Sequence, residues 1–213
     1  MKPFYKFCYL LAQTIARIFF RLSVKGRKNI PKEGAFIAAS NHIAYADPVV
    51  IGSIIKREIG FMAKAELFKT KFMRKLLAKV NAFPIHRGKS DIASFKTSIN
   101  ILSSLKMPLL VFPEGTRILT GELGQPKRGM AFLASQTKVP ILPIYIENSD
   151  RLLLCALFMR RIKIRIGELI EYSEYKDLVS HSSKYNEFSQ FVMARIQLLK
   201  DEKAEDRKPG DRI

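Results

Sequence analysis

Residues 36–50 read "FIAASNHIAYADPVV". The opening FIAAS is a short apolar run of strand character, and Asp47-Pro48 has the form of a helix N-cap followed by a first-turn proline. The chain from His42 to Asp47 is therefore the connection between a strand and a helix. A continuous helix would set these two side chains about 140° apart around its axis, so they can meet only across a turn. Folding back there would bring the carboxylate to one imidazole nitrogen and leave the other free, which is the arrangement of a general base with a fixed tautomer. A plainer reading is also open, in which Asp47 only caps its helix and His42 is a satisfied loop residue.

Working outward, the same alternation continues. Strand-like runs occur at 36–40, 59–63, 82–86, 109–113, 139–146 and 163–168, and helical patterns at 48–56, 71–80, 91–105, 128–137 and 184–199. This order predicts an α/β fold: a single domain with a mostly central mixed β-sheet flanked by helices and preceded by an N-terminal amphipathic helix. The expected division is 1–23 for that helix, 24–200 for the main domain and 201–213 for a flexible polar tail. In such a fold, ligands bind at loops beyond the carboxyl ends of strands.

Composition narrows the chemistry. The 213 residues are 47% apolar and 26% charged, as expected of a globular chain. Lys and Arg total 37 against 19 acids, a net charge of +18, so the surface should attract phosphate as nucleic acid, anionic bilayer or phosphorylated substrate. Cys8 and Cys155 are too few for a disulfide framework, and no Cys/His spacing resembles a metal site; a reducing compartment and a metal-free protein are expected. The chain has no G-x-S-x-G elbow, P-loop or G-x-G-x-x-G, so a serine hydrolase, an NTPase and a dinucleotide enzyme lose their main support.

The N-terminal stretch, residues 2–22, is amphipathic. At about 100° per residue, Phe4, Phe7, Cys8, Leu11, Ile15, Ile18, Phe19 and Leu22 fall in one arc, opposite Lys2, Lys6, Gln13, Arg17 and Arg21. Interrupting charges leave it short of the ~20 continuous apolar residues of a membrane span. It lacks the cleavage pattern of a signal peptide. Two readings remain: a basic helix lying on anionic lipid, or a surface helix packed on the domain. "RLLLCALFMRR", residues 151–161, is likewise either a buried core helix or a membrane-dipping element.

Other strand ends carry cations. "LLVFPEGTR" (109–117) is an apolar strand stopping at Pro113, then an acid, a glycine able to take positive φ, and Arg117, whose fork suits a phosphate. "AFPIHRGKSD" (82–91) places Arg87 past a second strand, and "GFMAKAELF" (60–68) places Lys64 after a third. Singly, each could belong to a solvated surface; their recurrence at strand ends argues otherwise.

"NHIAYADPVV", "FPIHRGKSD", "FPEGTRI" and "VPILPIYI" resemble, in order and separation, the four sequence blocks of the glycerophospholipid acyltransferases, specifically the 1-acylglycerol-3-phosphate O-acyltransferase group. The resemblance covers roughly residues 24–170, and makes 24–200 an acyltransferase domain. By motif match it implies His42 as general base and Asp47 as its orienting carboxylate. Arg117, Arg87 and Lys64 become the phosphate-binding cations, with Asn41, Glu114, Gly115 and Thr116 supporting the motifs. The block at 139–146 is expected to be a core strand and acyl-chain wall. Ile118 stands where a serine is common and His86 where an acid is frequent; a structural or surface role is favoured for His86.

The resemblance implies transfer of an acyl chain from acyl-coenzyme A or acyl carrier protein to the sn-2 hydroxyl of lysophosphatidic acid, giving phosphatidic acid without a covalent enzyme intermediate. Oxyanion donors are sought among backbone amides near Gly115 or in the His42 loop. No cofactor and no metal are expected beyond the thioester co-substrate. The expected partners are an anionic membrane surface and these substrates, with no nucleic acid, at the cytoplasmic face of the cell membrane as a peripheral or monotopic protein. The alternatives are a related acyltransferase acting on glycerol 3-phosphate, another lysophospholipid or an amino-acid lipid, and a non-enzymatic basic protein binding lipid or nucleic acid. Oligomeric state is not legible.

Overall fold

Ile37 pairs with Leu109 on one side and Ile141 on the other, which makes the FIAAS strand the centre of the sheet. The computed structural model describes residues 1–86 and 91–205. Its elements run α1 (Pro3–Ile18), β1 (Ser23–Lys25), β2 (Ile37–Ser40), α2 (Asp47–Gly52), β3 (Gly60–Lys64), α3 (Lys71–Lys79), β4 (Ala82–Ile85) and α4 (Ile92–Ile99). They continue through β5 (Leu109–Val111), α5 (Gly129–Thr137), β6 (Ile141–Glu147), α6 (Leu152–Ala156), β7 (Lys163–Ile166), α7 (Tyr172–Tyr175) and α8 (Tyr185–Glu205). The strands form one sheet in the order β1-β7-β6-β2-β5-β3-β4. All neighbours are parallel except β6 and β7, so the sheet is mixed, as expected.

Parallel pairing has one consequence for function. The carboxyl ends of β2, β3, β4, β5 and β6 lie along the same edge, so the chain segments that follow them converge there. β2 can occupy the centre because every one of its residues is buried, with side chains alternating between two apolar layers. Ile37 and Ala39 join Leu109, Val111 and residues of α5 and α8 on one face. Phe36 and Ala38 join Leu110, Leu142, Ile144 and residues of α1 and α2 on the other. Each fully buried Ile, Leu or Phe contributes about 1.5–3 kcal/mol, so both layers matter to stability.

Several boundaries differ from the sequence reading. β1 is an added edge strand of three residues, too short to give a periodic signal. α2 ends at Gly52 rather than 56. α8 continues to Glu205, past the expected start of the tail, while 206–213 lie outside the described residues.

α1 turns its predicted apolar arc outward. Tyr5, Tyr9 and Ala16 face the domain, whereas Phe7, Leu11, Ile18 and Phe19 are 62, 49, 59 and 53% exposed. Polar contacts serve the inner stripe: Tyr5 Oη accepts from the Ile59 amide at 3.3 Å, and Gln13 Nε2 donates to Ser53 O at 3.0 Å and to Tyr9 Oη at 2.8 Å. Burial pushes the Tyr5 phenol up to about 12, which keeps it neutral. The helix thus packs on the core and still presents an apolar face to the outside. No helix of the described residues is long and apolar enough to cross a membrane.

Candidate active site

The loop after β2 folds back as its residue spacing requires. His42 Nδ1 lies 2.7 Å from Asp47 Oδ2, and that oxygen also accepts from the amides of Ile43 at 2.8 Å and Ala44 at 2.9 Å. Asp47 is therefore not the helix N-cap; Ala46 takes that position, and the carboxylate points back over its own loop. Both side chains are buried, Asp47 completely. With Nδ1–H donated to the carboxylate, the Nε2 lone pair is left available. Phe112 stacks on the imidazole, with ring centroids 4.0 Å apart and planes 16° from parallel, which fixes the ring orientation.

Neighbouring strand ends hold this loop in place. Asn41 Nδ2 donates to Ile146 O at 3.0 Å and its Oδ1 accepts from the Ile146 amide at 2.8 Å, so its side chain continues the β2–β6 pairing past the end of β2. Glu114 accepts from the His42 amide at 2.9 Å through one oxygen and from the Gly124 amide at 2.8 Å through the other. Burial holds its carboxyl above the usual range, against the pull of these two donors. The Ile118 amide donates to His42 O at 2.8 Å and ties the Arg117 loop to the histidine loop. Gly115 turns that loop at φ 68°, where an added Cβ would lie 2.9 Å from Lys127 Cδ.

His42, Arg117 and Lys64 line one cavity of 460 Å³. Its apolar walls include Tyr9, Val49, Phe61, Leu67, Leu77 and Val80, contributed by α1, α2, β3, α3 and the segments flanking α3. Residues 139–146 do not line this cavity; β6 is a core strand, as expected, buried between its neighbours in the sheet. The Arg117 guanidinium carbon lies over the Tyr45 ring, 3.5 Å from its centroid, a cation–π contact that holds the side chain at the cavity. Lys64 Nζ sits 3.2 Å from Glu66 Oε1 on the exposed rim. Thr116 is exposed. Arg87 lies outside the described residues.

Three residues escaped the sequence reading. Phe112 and Tyr45 act through their rings, and Ser149 hydrogen-bonds Asp47 Oδ1 at 2.5 Å from the turn after β6. Ser149 lies just past a predicted strand end, the same signal that singled out Arg117. Of the amides in the segments suggested for an oxyanion, four are already engaged: Gly115 with Phe112 O, His42 with Glu114, and Ile43 and Ala44 with Asp47. His86 pairs with Asp91 at 3.1 Å on the surface, where Asp91 caps α4 through the Ser94 amide at 3.0 Å. Among the described residues, no cluster of three or more His, Cys, Asp or Glu side chains could hold a metal ion.

The Acyltransferase family model matches residues 21–147, a span that contains His42, Asp47, Lys64 and Arg117. The chain belongs to the acyltransferase family and is an acyl-transferring enzyme. Over 180 residues it is 31% identical to the 1-acyl-sn-glycerol-3-phosphate acyltransferase of Bacillus subtilis (strain 168), covering 83% of this chain and 87% of that one. It is 30% identical over 145 residues to the enzyme of that name from Streptococcus pneumoniae, covering 67% of this chain and 53% of the relative, so it spans about half of that longer protein. In fold it matches the crystal structure of the 1-acyl-sn-glycerophosphate acyltransferase PlsC from Thermotoga maritima, with a TM-score of 0.71, 21% identity, and coverage of 96% of this chain and 83% of that one.

Proposed function

We propose that this enzyme transfers an acyl chain from a thioester of coenzyme A or acyl carrier protein to the sn-2 hydroxyl of 1-acylglycerol 3-phosphate, forming phosphatidic acid in phospholipid biosynthesis. The observation that carries the reading is the His42–Asp47 pair, 2.7 Å apart, opening on the cavity that Arg117 and Lys64 also line. The names of the relatives favour the same acceptor. Arg117 and Lys64 grip the acceptor phosphate, and the apolar walls receive acyl chain.

His42 Nε2 takes the hydroxyl proton as the oxygen attacks the thioester carbonyl. The tetrahedral intermediate collapses, breaks the carbon–sulfur bond and expels a thiolate, which receives the proton back from the imidazolium; ester and free thiol result. Asp47 steadies the imidazolium. A positioned base of this kind is worth about 10²- to 10⁴-fold in rate. Holding the acceptor by its phosphate against the thioester supplies an orientational advantage of about 7–11 kcal/mol. No cofactor enters this scheme.

The exposed apolar face of α1 rests on anionic lipid at the cytoplasmic face of the membrane, as a peripheral or monotopic contact that places the cavity beside its lipid acceptor. The test is a matrix of donors and acceptors with thiol release as readout. Loss of turnover in His42→Ala with an unchanged circular dichroism spectrum is expected. Unchanged turnover in that variant would remove His42 from the chemistry, and equal rates with acceptors lacking phosphate would remove the proposed role of the cations.

A further inference from the structure

α6 and the turn after it form an apolar projection that the domain itself does not cover. Only Cys155 is fully buried there, while Leu153, Leu157, Phe158 and Met159 are 72, 60, 61 and 71% exposed. Large apolar residues exposed singly are ordinary, but a cluster of this kind marks an interaction surface. The backbone is strained to present it. Phe158 has φ 59°, a left-handed conformation that bulky residues rarely adopt.

Facing Phe158 is Arg21, itself at φ 48°, whose guanidinium donates to Phe158 O at 2.9 Å and lies 6.0 Å over its ring. Beside them, the Ile162 amide donates to Phe20 O at 3.1 Å and the Ser23 amide to Ile162 O at 2.9 Å. The projection is thus fastened to the end of α1 and adjoins that helix's exposed Ile18 and Phe19. Its flanks are basic: Arg17, Arg160 and Arg161 are exposed and have no carboxylate partner among the described residues.

We propose that α6 and the turn after it are a second lipid-docking element, seated with the end of α1 on an anionic bilayer. This rests on the reading that α1 meets the membrane. The apolar tips enter the boundary between headgroups and acyl chains, and the arginines stay with the phosphates. That arrangement of apolar centre and unpaired basic margin selects an anionic bilayer as the occupant. Position favours it too. α6 begins at Leu152, three residues beyond Ser149, which holds Asp47, and α1 lines the reaction cavity. Docking at both places would bring the cavity onto the surface that holds the lipid acceptor.

The chain has no tryptophan, so Phe158→Trp installs a single reporter. With vesicles containing phosphatidylglycerol, its emission should shift to the blue and be quenched by brominated acyl chains, and both effects should weaken in phosphatidylcholine alone. A parallel Leu11→Trp protein reports on α1. A response from Leu11→Trp without one from Phe158→Trp overturns the inference and leaves α1 docking intact; silence from both overturns both. In a chain retaining Phe158, Leu153→Gln with Leu157→Gln and Met159→Gln should weaken partition into phosphatidylglycerol vesicles by about 10-fold or more. Transfer to a short-chain, monomeric lysophosphatidic acid should remain unchanged, which reports an intact fold. Unweakened partition of that variant would overturn the inference. Absence of transfer by the unaltered protein would instead refute the acyltransfer assignment, whatever the reporters show.

Discussion

Ser149 donates a hydrogen bond of 2.5 Å to Asp47 Oδ1, the carboxylate oxygen that His42 does not use. Asp47 is fully buried, so without this donor Oδ1 would lose a needed partner and the carboxylate could rotate away from the imidazole. A hydrogen bond to a charged group is worth about 1.5–3 kcal/mol, equivalent to about 10- to 160-fold in rate if fully expressed in the transition state. Ser149→Ala should lower kcat by about that factor with little change in KM for the acceptor, since Ser149 does not line the cavity. Steady-state kinetics on Ser149→Ala, Asp47→Asn and the double variant supply the check: the serine change should cost little once Asp47 is altered. Fully additive losses would place the effect of Ser149 elsewhere.

What could be read beforehand depended on how local the determinants are. The FIAAS strand was legible because its residues are apolar on both faces, and the His-Asp meeting was legible because a turn is the only way across that spacing. Ser149 was not, because its reach to Asp47 depends on β6 lying beside β2, with Ala39 opposite Pro143, a pairing between segments far apart in sequence. The composition of α1 was legible, but not which stripe faces the core: Tyr5, Tyr9 and Gln13 hold that side partly through hydrogen bonds, which periodicity does not register. Arg117 and Lys64 stood out by their position at strand ends, whereas the ring beneath Arg117 sits in the middle of the histidine loop.

That ring suggests a test of acceptor binding. Stacking on Tyr45 holds the Arg117 guanidinium before any ligand arrives, a contact worth about 0.5–2 kcal/mol. Tyr45→Ala should raise KM for a phosphate-bearing acceptor by about 2- to 30-fold, the range set by that energy. Tyr45→Phe should behave like the unaltered enzyme, because the ring supplies the attraction. Arg117→Ala should cost more than Tyr45→Ala, and neither should matter for an acceptor without phosphate. Equal losses in Tyr45→Phe and Tyr45→Ala would assign the effect to the hydroxyl.

Glu114 gives a pH dependence of defined sign. Burial raises its folded-state pKa above the ordinary 4.5, so the folded protein retains this proton at pH values where the unfolded chain has lost it. Its stabilising contribution is fully present below 4.5 and declines as the pH rises through the folded value. Glu114→Gln cannot titrate. The stability of the unaltered protein relative to this variant should therefore be greatest in acid and fall as pH rises from 4.5. Paired urea titrations across that range measure the difference; a gap that widens with rising pH would contradict the assignment.

Two glycines with similar backbone angles separate conformational cost from steric cost. Gly26 has φ 78° and Gly34 φ 73°, so alanine at either position pays about 1–2 kcal/mol for the left-handed conformation. At Gly34 a new Cβ would meet nothing within 4 Å, whereas at Gly26 it would lie 2.0 Å from Ile166 O, a backbone atom at the end of β7. Relief there requires the chain after β1 to move away from β7, next to the Asn29 side chain that donates to the same carbonyl at 3.0 Å. Gly34→Ala should therefore lose only that conformational increment, while Gly26→Ala should lose about 3 kcal/mol or more, in the range of overpacked sites. Thermal denaturation followed by circular dichroism distinguishes them, at about 2–4 °C per kcal/mol for a chain of this size. Equal shifts for the two variants would mean that the close approach of Gly26 to β7 carries no energetic weight.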